Sequence, residues 1–234
     1  EVNDFVSIHK IASSEALDPL IANAVRLTGK PFIVSTGGLS HGEVRNLIFQ
    51  NAGLEWALLE CVAKYPADSA LYNLTALREW WVNSMGTVKL GLSDHTMSNT
   101  LGVAAVGFGA TIFERHFDDV KNTAGDTPDT PVSFDPVATR AWIESIREAF
   151  KAAGDGFKAP AHQSEAMLRY RRRPIVTQSL KAGDVLSLGS NYGSYRSLVD
   201  DTRGAPAQAV LQFDGAKLKV DKLPGQSLWY DDLE

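Results

Sequence analysis

Short apolar runs, rich in β-branched residues, alternate with amphipathic stretches along the first 155 residues of the chain. In the amphipathic stretches apolar residues stand three and four positions apart, as Val44, Leu47 and Ile48 do. This alternation predicts a sheet of parallel strands covered by helices, with short connections between them. The five predicted strands are residues 5–11, 31–35, 56–62, 88–92 and 111–117.

Signals at the helix ends agree with this pattern. Ser40 and Glu43 have the spacing of a capping box that begins one helix, and Gly53 closes it. Asp135 before Pro136 predicts the start of a last helix over residues 136–153. We expect the apolar stripe of this helix to pack in the core; it consists of Trp142, Ile143, Ile146 and Phe150.

The character of the sequence changes after residue 155. We predict a first domain over residues 1–155, a linker over 156–170 and a small β-rich domain over 171–234. Its predicted strands are residues 174–178, 184–188, 209–213 and 217–220. The basic run at 169–173 is more typical of a solvated or interface surface than of a nucleic-acid site.

Composition and charge narrow the class of protein. With 44% hydrophobic and 22% charged residues, the 234-residue chain has the composition of a globular protein. The net charge of −5 gives no overall attraction to nucleic acid or anionic lipid, and no apolar stretch reaches the roughly 18 residues of a membrane span. A single cysteine, Cys61, favours a reducing compartment, so we expect a cytoplasmic protein without a nucleic-acid or membrane partner.

Polar side chains gather where the predicted strands end, which is the edge at which parallel α/β proteins carry their chemistry. His95 and His116 stand at the ends of successive strands. They could hold one divalent metal ion whose remaining ligands are water and a substrate oxygen. Two separately hydrogen-bonded histidines are the alternative.

The same edge carries one cation and three hydroxyls that suit a small phosphorylated anion. They are Lys10, Ser13, Ser35 and Ser93. Serines are common in such loops, so it is their position at consecutive strand ends that favours a binding site.

A series of motifs at these strand ends has an order and spacing that is more specific than any single motif. The motifs are Lys10-Ile-Ala-Ser13-x-Glu15, Gly29-Lys-Pro-x-x-x-Ser35-Thr-Gly37, Tyr65-Pro66, Gly91-x-Ser93-Asp-His95-Thr96, Glu114-x-His116-Phe117, Pro128-Asp129 and Ser133-Phe-Asp-Pro136. With them the sequence resembles the N-acetylneuraminate (sialic acid) synthase family from about residue 5 to 153. The C-terminal domain is more weakly similar to the antifreeze-like (SAF) module of these enzymes.

The resemblance implies a reaction in which phosphoenolpyruvate condenses with an open-chain N-acyl-mannosamine-type aldose. The product is a nine-carbon 2-keto acid, and phosphate is released. In this interpretation His95 and His116 hold a divalent metal, typically Mn²⁺, which acts as a Lewis acid on the sugar aldehyde. The resemblance also assigns the phosphate to Lys10, Ser13 and Ser93, and the carboxylate end to Ser35.

On the sugar side the resemblance places Glu15, Tyr65 and Asp129, and we count Lys10, Tyr65 and Asp129 as catalytic candidates. An arginine from the small domain of a partner subunit would cap the sugar. Arg196 matches it better by spacing, and Arg203 is the alternative. A homodimer with exchanged small domains is therefore expected by resemblance.

The Lys10 motif belongs to the fourth strand of the family's (β/α)8 barrel. The implied fold class is thus α/β, an incomplete TIM barrel with family strands four to eight, followed by the SAF-like domain. A complete barrel needs about 250 residues, and the family's general-base glutamate lies on the strands without a counterpart. Because the chain also begins at Glu1 rather than Met, we interpret it as the C-terminal part of a synthase, inactive in isolation.

Two other hypotheses compete with this one. The chain could be a non-catalytic module, in which a truncated half-barrel and a SAF domain bind sugar or a partner protein. It could also be an ordinary open doubly wound sheet of unrelated function, which would require the motifs to match by chance. The identity of the N-acyl sugar, a precursor of sialic, legionaminic or pseudaminic acid, stays open.

Overall fold

The structure is a computed structural model that describes residues 3–119, 127–156, 167, 170–196 and 204–234. The chain divides into two compact units, Glu1–Asp155 and Gly156–Glu234. Most of the predicted linker over 156–170 lies outside the described residues. Within the described ranges, no helix is both long and apolar enough to cross a bilayer.

Strands and helices alternate through the first unit, as the sequence predicts. The elements are β1 His9–Ile11, α1 Pro19–Leu27, β2 Phe32–Ser35, α2 His41–Gln50, β3 Trp56–Cys61, α3 Thr75–Asn83, β4 Lys89–Asp94, α4 Leu101–Gly107, β5 Ile112–Arg115 and α5 Pro136–Ala153. The five strands form one sheet in the order β1-β2-β3-β4-β5, with every neighbouring pair parallel. The first strand is shorter than predicted, because residues 3–5 form a 3-10 turn.

The helix ends follow the predicted signals, but one helix was missed. The Ser40 hydroxyl accepts from the Glu43 amide, and the Glu43 carboxylate accepts from the Ser40 amide at 2.7 Å, which confirms the capping box. Asp135 caps α5 by accepting from the amide of Ala138. The missed element is α4, whose seven residues are too few to display an amphipathic repeat.

The sheet is strongly curled. A flat sheet would separate β1 from β5 by about 19 Å, since neighbouring strands lie about 4.8 Å apart. Yet the Lys10 ammonium on β1 lies 3.3 Å from a carboxylate oxygen of Glu114 on β5. Because these two side chains could not span the flat distance, the sheet must bend so that its outer strands approach each other at the carboxyl edge.

Helices α4 and α5 pack together behind β5. Trp142 and Ile146 of α5 are buried there, and a Cβ on Gly102 of α4 would lie 2.8 Å from Ile146 Cδ1, so a larger residue would force these side chains to shift. The prediction that the whole apolar stripe of α5 packs in the core is wrong for two of its four residues. Ile143 is 37% exposed and Phe150 is 40% exposed, because they lie at the sides of this contact rather than on it.

The second unit is built around a two-stranded antiparallel sheet of β6 Arg172–Val176 and β7 Tyr192–Arg196. The predicted strand 174–178 is thus confirmed with shifted bounds, whereas 184–188 and 217–220 make only isolated bridges, such as that of Val185 with Lys217. The predicted strand 209–213 is wrong, because Ala207–Phe213 is a 3-10 helix that buries Ala209 and Phe213.

One ion pair lies buried between β4, β5 and the helices. Arg115 Nη1 lies 3.0 Å from Asp94 Oδ2, with both side chains almost fully buried. The guanidinium also donates to the carbonyls of Thr96 and Ser98 and lies over the ring of Phe134, 3.4 Å from its centroid. It therefore ties the ends of β4 and β5 to the start of the loop that follows β4.

We expect Arg115→Met to lower the free energy of unfolding by about 3–5 kcal/mol, because it leaves the Asp94 carboxylate buried without its partner. Urea unfolding followed by tryptophan fluorescence measures this loss. The matched control is Arg147→Met on the exposed face of α5, which should change the value by less than about 0.5 kcal/mol. Equal effects of the two substitutions would contradict the importance of the buried pair.

Candidate active site

The predicted site residues of β4 and β5 lie on one face of the sheet. Ser93 and Glu114 are register partners on these neighbouring strands. Because side chains alternate between the two faces along a strand, His95 continues on the face of Ser93, and His116 continues on that of Glu114. The sequence hypothesis that the two histidines lie together is confirmed by their ring centroids, which are 5.3 Å apart.

His95 is buried and fixed in a single orientation. Its Nδ1 lies 2.7 Å from the Val62 carbonyl, and since a carbonyl only accepts, Nδ1 carries the proton. The Nε2 atom lies 3.5 Å from the hydroxyl of Ser93, which instead donates to Glu114 Oε1 at 2.7 Å. The lone pair of Nε2 is therefore free to bind a ligand, which is the tautomer that metal-binding histidines adopt.

The thiol of Cys61 lies beside the same imidazole. Its Sγ is 4.0 Å from His95 Nδ1 and accepts from the Ser13 hydroxyl at 3.6 Å. Burial alone would raise the pKa of Cys61, but the hydrogen bonds from His95 and Ser13 outweigh it and lower that pKa. Burial likewise opposes protonation of His95, whose contacts with Cys61 and the Val62 carbonyl nevertheless raise its pKa.

Tyr65 and Asp129 reach the same pair of histidines from loops. The Tyr65 ring stacks on His95 with centroids 4.2 Å apart and meets the edge of His116 at 5.5 Å. The carboxylate of Asp129 lies 3.7 Å from His116 Nδ1. Two of the predicted catalytic residues are therefore neighbours of the predicted metal ligands.

The chemistry of this donor set fits a metal ion at an open site. Among the described residues, no group of three or more His, Cys, Asp or Glu side chains is arranged to hold a metal alone. Two imidazoles are nevertheless close, and one of them presents an uncommitted nitrogen. A site with two protein ligands would leave several coordination positions to water and substrate, as catalytic sites require.

The predicted phosphate-binding residues contact a carboxylate, that of Glu114, which the sequence analysis does not assign to the site. Glu114 accepts from Ser93 and forms an ion pair with Lys10, so one carboxylate joins the predicted cation and one of the predicted hydroxyls. The signal was present, because Glu114 lies two residues before His116 and alternation places both on one face.

Ser13 and Ser35 complete this edge. The Ser13 hydroxyl accepts from the amide of Gly37 at 2.9 Å, and a Cβ on Gly37 would lie 3.0 Å from both that hydroxyl and the backbone nitrogen of Ala63. The loops after the first three strands therefore converge at a position where a side chain would crowd its neighbours. Ser35 is 2% exposed, and its hydroxyl has no hydrogen-bond partner among the described residues. A buried hydroxyl of this kind is suited to a ligand.

Glu15 is not brought into this cluster by the structure, and the two predicted arginines belong to the second unit. Glu15 is exposed in the 3-10 turn Ser13–Glu15, and within the described ranges its side chain contacts none of the cluster through a hydrogen bond or ion pair. Arg196 ends β7 in the second unit and is exposed. Arg203, the alternative to Arg196, lies outside the described residues.

Tyr72 is a residue of the site that the sequence analysis missed. Its buried hydroxyl accepts from the His95 amide at 2.8 Å and donates to the Ser93 carbonyl at 3.1 Å. Burial raises the pKa of Tyr72, so the hydroxyl keeps its proton. It fixes the backbone of the two residues whose side chains form the centre of the site. No local pattern marks it, because the contact joins the loop before α3 to the end of β4.

Fold and site together define an α/β protein that carries polar and titratable groups at the carboxyl edge of a curled parallel sheet, the usual place for small-ligand chemistry. Comparison with known proteins then identifies the family. The model of the NeuB family matches residues 2–158, and the chain belongs to this family. The resemblance to sialic acid synthases that the motifs indicated is confirmed.

Individual relatives agree with the family match. An uncharacterized protein of Methanocaldococcus jannaschii is 31% identical over 97% of this chain and 66% of its own length. The N,N'-diacetyllegionaminic acid synthase of Campylobacter jejuni is 30% identical over 79% of this chain and 56% of its own length. The chain therefore spans about 56 to 66% of the length of these curated relatives.

A solved structure is similar as well. The N-acetylneuraminic acid (sialic acid) synthetase of Leptospira borgpetersenii serovar Hardjo-bovis, crystallised with citrate, matches with a TM-score of 0.62 and 26% identity. The match covers 70% of this chain and 57% of that chain. The parallel, curled sheet of the first unit is thus the fold of NeuB-type synthases over the matched part.

We expect Tyr72→Phe to lower the free energy of unfolding by about 1–3 kcal/mol, because the buried His95 amide loses its acceptor. Amide hydrogen exchange at His95 should accelerate, whereas exchange at the centre of β3 should change only by the global loss of stability. Tyr230→Phe, at an exposed position of the second unit, serves as the control. Unchanged exchange at His95 in Tyr72→Phe would contradict the positioning role.

Proposed function

We propose that this protein acts in the condensation of phosphoenolpyruvate with an N-acyl-mannosamine-type aldose, which yields a sialic-acid-like nonulosonic acid and phosphate. The observation that carries the proposal is the cluster of His95, His116, Tyr65 and Asp129 at the carboxyl edge of a NeuB-family sheet. Relatives named as legionaminic and sialic acid synthases support the substrate class.

In this proposal His95 and His116 hold Mn²⁺ or another divalent ion, which when bound polarises the sugar aldehyde as a Lewis acid. The Val62 carbonyl keeps the His95 proton on Nδ1, so Nε2 faces the ligand in its unprotonated form. The stacked Tyr65 ring prevents the imidazole from rotating away and limits the access of water to it. Asp129 beside His116 would orient the second imidazole in the same way.

The phosphate and carboxylate of phosphoenolpyruvate would bind on the Lys10, Ser13, Ser93 and Ser35 side of the cluster. Lys10 is the cation of this edge, and its present partner is the Glu114 carboxylate. A phosphate group would compete with Glu114 for the same ammonium and for the Ser93 hydroxyl. The unpartnered hydroxyl of Ser35 would donate to the carboxylate.

The larger assembly is also part of the proposal. We propose that the first unit is an incomplete (β/α)8 barrel and the second unit a SAF-like domain, exchanged in a homodimer so that Arg196 or Arg203 caps the sugar of the partner subunit. The structure of a putative spore coat polysaccharide biosynthesis protein E, matched over 98% of this chain, supports the fold of both units at 23% identity. The single, buried Cys61 supports a cytoplasmic location.

Because this chain spans only part of its relatives, we propose that the 234-residue chain is inactive by itself. By resemblance to the sialic acid synthase family, the general-base glutamate would come from strands that have no counterpart in this chain. The competing hypothesis, a non-catalytic module that binds sugar or a partner protein, predicts ligand binding without turnover in any form of the protein.

Mn²⁺ binding tests the proposed metal ligands in the chain as it stands. His95→Ala should weaken Mn²⁺ affinity by at least about tenfold, because even the loss of an outer-shell partner costs that much. Free Mn²⁺ measured by electron paramagnetic resonance gives the affinity directly. His9→Ala is the matched control, since His9 is hydrogen-bonded to Asn3 and should leave affinity unchanged. Equal affinity in His95→Ala and the unmodified chain would remove His95 as a ligand.

Phosphate release tests the reaction. In protein expressed from its full reading frame, we expect release from phosphoenolpyruvate only when Mn²⁺ and N-acetylmannosamine or another acylated hexosamine are present. Lys10→Met should lower kcat/KM by at least about tenfold through the loss of a charged phosphate contact. Lys89→Met is the control, since Lys89 begins β4 at the opposite edge. Binding without release for every acylated hexosamine would favour the non-catalytic module.

A further inference from the structure

A cavity of about 460 Å³ lies against β3, α2 and α3, in a part of the first unit that the proposed reaction does not use. Its walls are partly apolar, with Leu39, Val44 and Ala76, and partly polar, with Glu60 and Trp80. The volume falls in the range of small-molecule sites, about 300–1,000 Å³. Mixed walls with a few polar groups are also typical of such sites.

Glu60 is the one carboxylate among the lining residues, which also include the titratable side chains of His41 and Cys61. It is the neighbour of Cys61 on β3, and adjacent side chains of a strand project to opposite faces, so Glu60 lies on the helix-covered face while Cys61 faces the His95 cluster. Glu60 is 9% exposed, and no cation among the described residues pairs with it. Burial raises the pKa of Glu60 to about 7, with a weaker opposing contact from the Asn73 backbone.

Trp80 supplies the second polar group. It is 3% exposed, and its indole Nε1 is buried without a hydrogen-bond partner among the described residues. Buried donors are nearly always satisfied in folded proteins. Trp80 lines the same cavity as Glu60, but its N–H has almost no accessible surface, so the Glu60 carboxyl is the one of these two groups that a bound molecule could pair with.

We propose that this cavity binds a small organic cation, with an ammonium group beside Glu60 and an apolar portion against Leu39, Val44 and the Trp80 ring. An ammonium group meets the requirement of Glu60, since a buried carboxylate is stabilised by a hydrogen-bonded cation.

The second site uses none of the side chains proposed to bind phosphoenolpyruvate, sugar or metal, but it borders the candidate active site at two places. Cys61 and Val62, which contact His95, are among its lining residues. Thr36 and Gly38 line the cavity, and Gly37 between them donates to Ser13 at the carboxyl edge. Binding in the cavity can therefore be tested in the chain as it stands, without phosphoenolpyruvate or metal. A failure to bind the probe would not affect the proposed condensation. A failure of the condensation would likewise not affect binding in the cavity.

The test uses N-acetylethylenediamine as the probe, because it carries an ammonium group, a carbonyl oxygen and a short apolar linker. The indole N–H resonance of Trp80 in ¹H–¹⁵N spectra is the readout, and Trp80→Phe assigns it by its disappearance. We expect this resonance to shift in a saturable manner at millimolar probe. Glu60→Gln should weaken the affinity by at least about tenfold, since it removes a charge-assisted hydrogen bond.

Two controls distinguish a specific binding site from a packing defect. Glu79→Gln changes an exposed carboxylate that pairs with His41 at 3.2 Å, near the cavity, and should leave the affinity within about twofold. N-propylacetamide has nearly the same shape as the probe but no charge, and should bind at least about tenfold more weakly. Retained dispersion of the other four indole signals verifies that Glu60→Gln is folded.

Three results would overturn the proposal. They are the absence of any Trp80 shift at millimolar probe, equal affinity in folded Glu60→Gln, and equal affinity for the uncharged N-propylacetamide. The last result would mean that the cavity accepts apolar molecules by volume alone.

Discussion

The two-residue period of β4 and β5 is the constraint on which the first unit depends. It sends Ser93 and His95 to one face and Asp94 to the other, and Arg115 lies on the face of Asp94. The buried ion pair on the helix side fixes the strand ends from behind, and the groups in front of it can therefore face a ligand without having to hold the fold together. Along these strands, residues that stabilise the fold alternate with residues that face the candidate site.

Both faces keep buried polar atoms without a partner among the described residues, and on the helix side these are Arg115 Nε and the indole nitrogens of Trp80 and Trp142. Behind the sheet, the Arg115 guanidinium meets a carboxylate, two carbonyls and an aromatic ring. In front, Ser35 keeps a buried hydroxyl without a partner, and the Nε2 atom of His95 keeps a free lone pair. Unsatisfied groups that sit at the edge of a well-packed sheet are more consistent with ligand recognition than with loose packing.

The elements of the first unit could be predicted because their signals are local. The Ser40–Glu43 box and the Asp135 cap are each contained within four residues, and the strands are marked by continuous apolar runs. The second unit was predicted less well. Ala209 and Phe213 stand four residues apart, which is helical spacing, yet a short apolar stretch between turn residues is equally typical of a strand.

The candidate site could be predicted in its members but not in its connections. Alternation and strand order bring His95 and His116 together, whereas the Tyr72 hydroxyl reaches His95 only through a tertiary contact across 23 positions. The Glu60 cavity had no sequence signal either. A carboxylate within an apolar strand cannot be assigned to a cavity until the residues that pack around it are known. What the sequence lacks in each instance is the pairing of distant backbone, not the residue type.

Gly37 has a consequence for how this family can vary. Its amide bonds to Ser13, and its missing side chain leaves room for that hydroxyl and for the backbone of Ala63, so three loops share one contact point. Positions 13 and 37 are therefore energetically coupled, and their substitutions should not be additive. Loss of the Ser13 side chain would relieve only one of the two close contacts that a larger residue at 37 would make, because the backbone of Ala63 would still lie 3.0 Å from its Cβ.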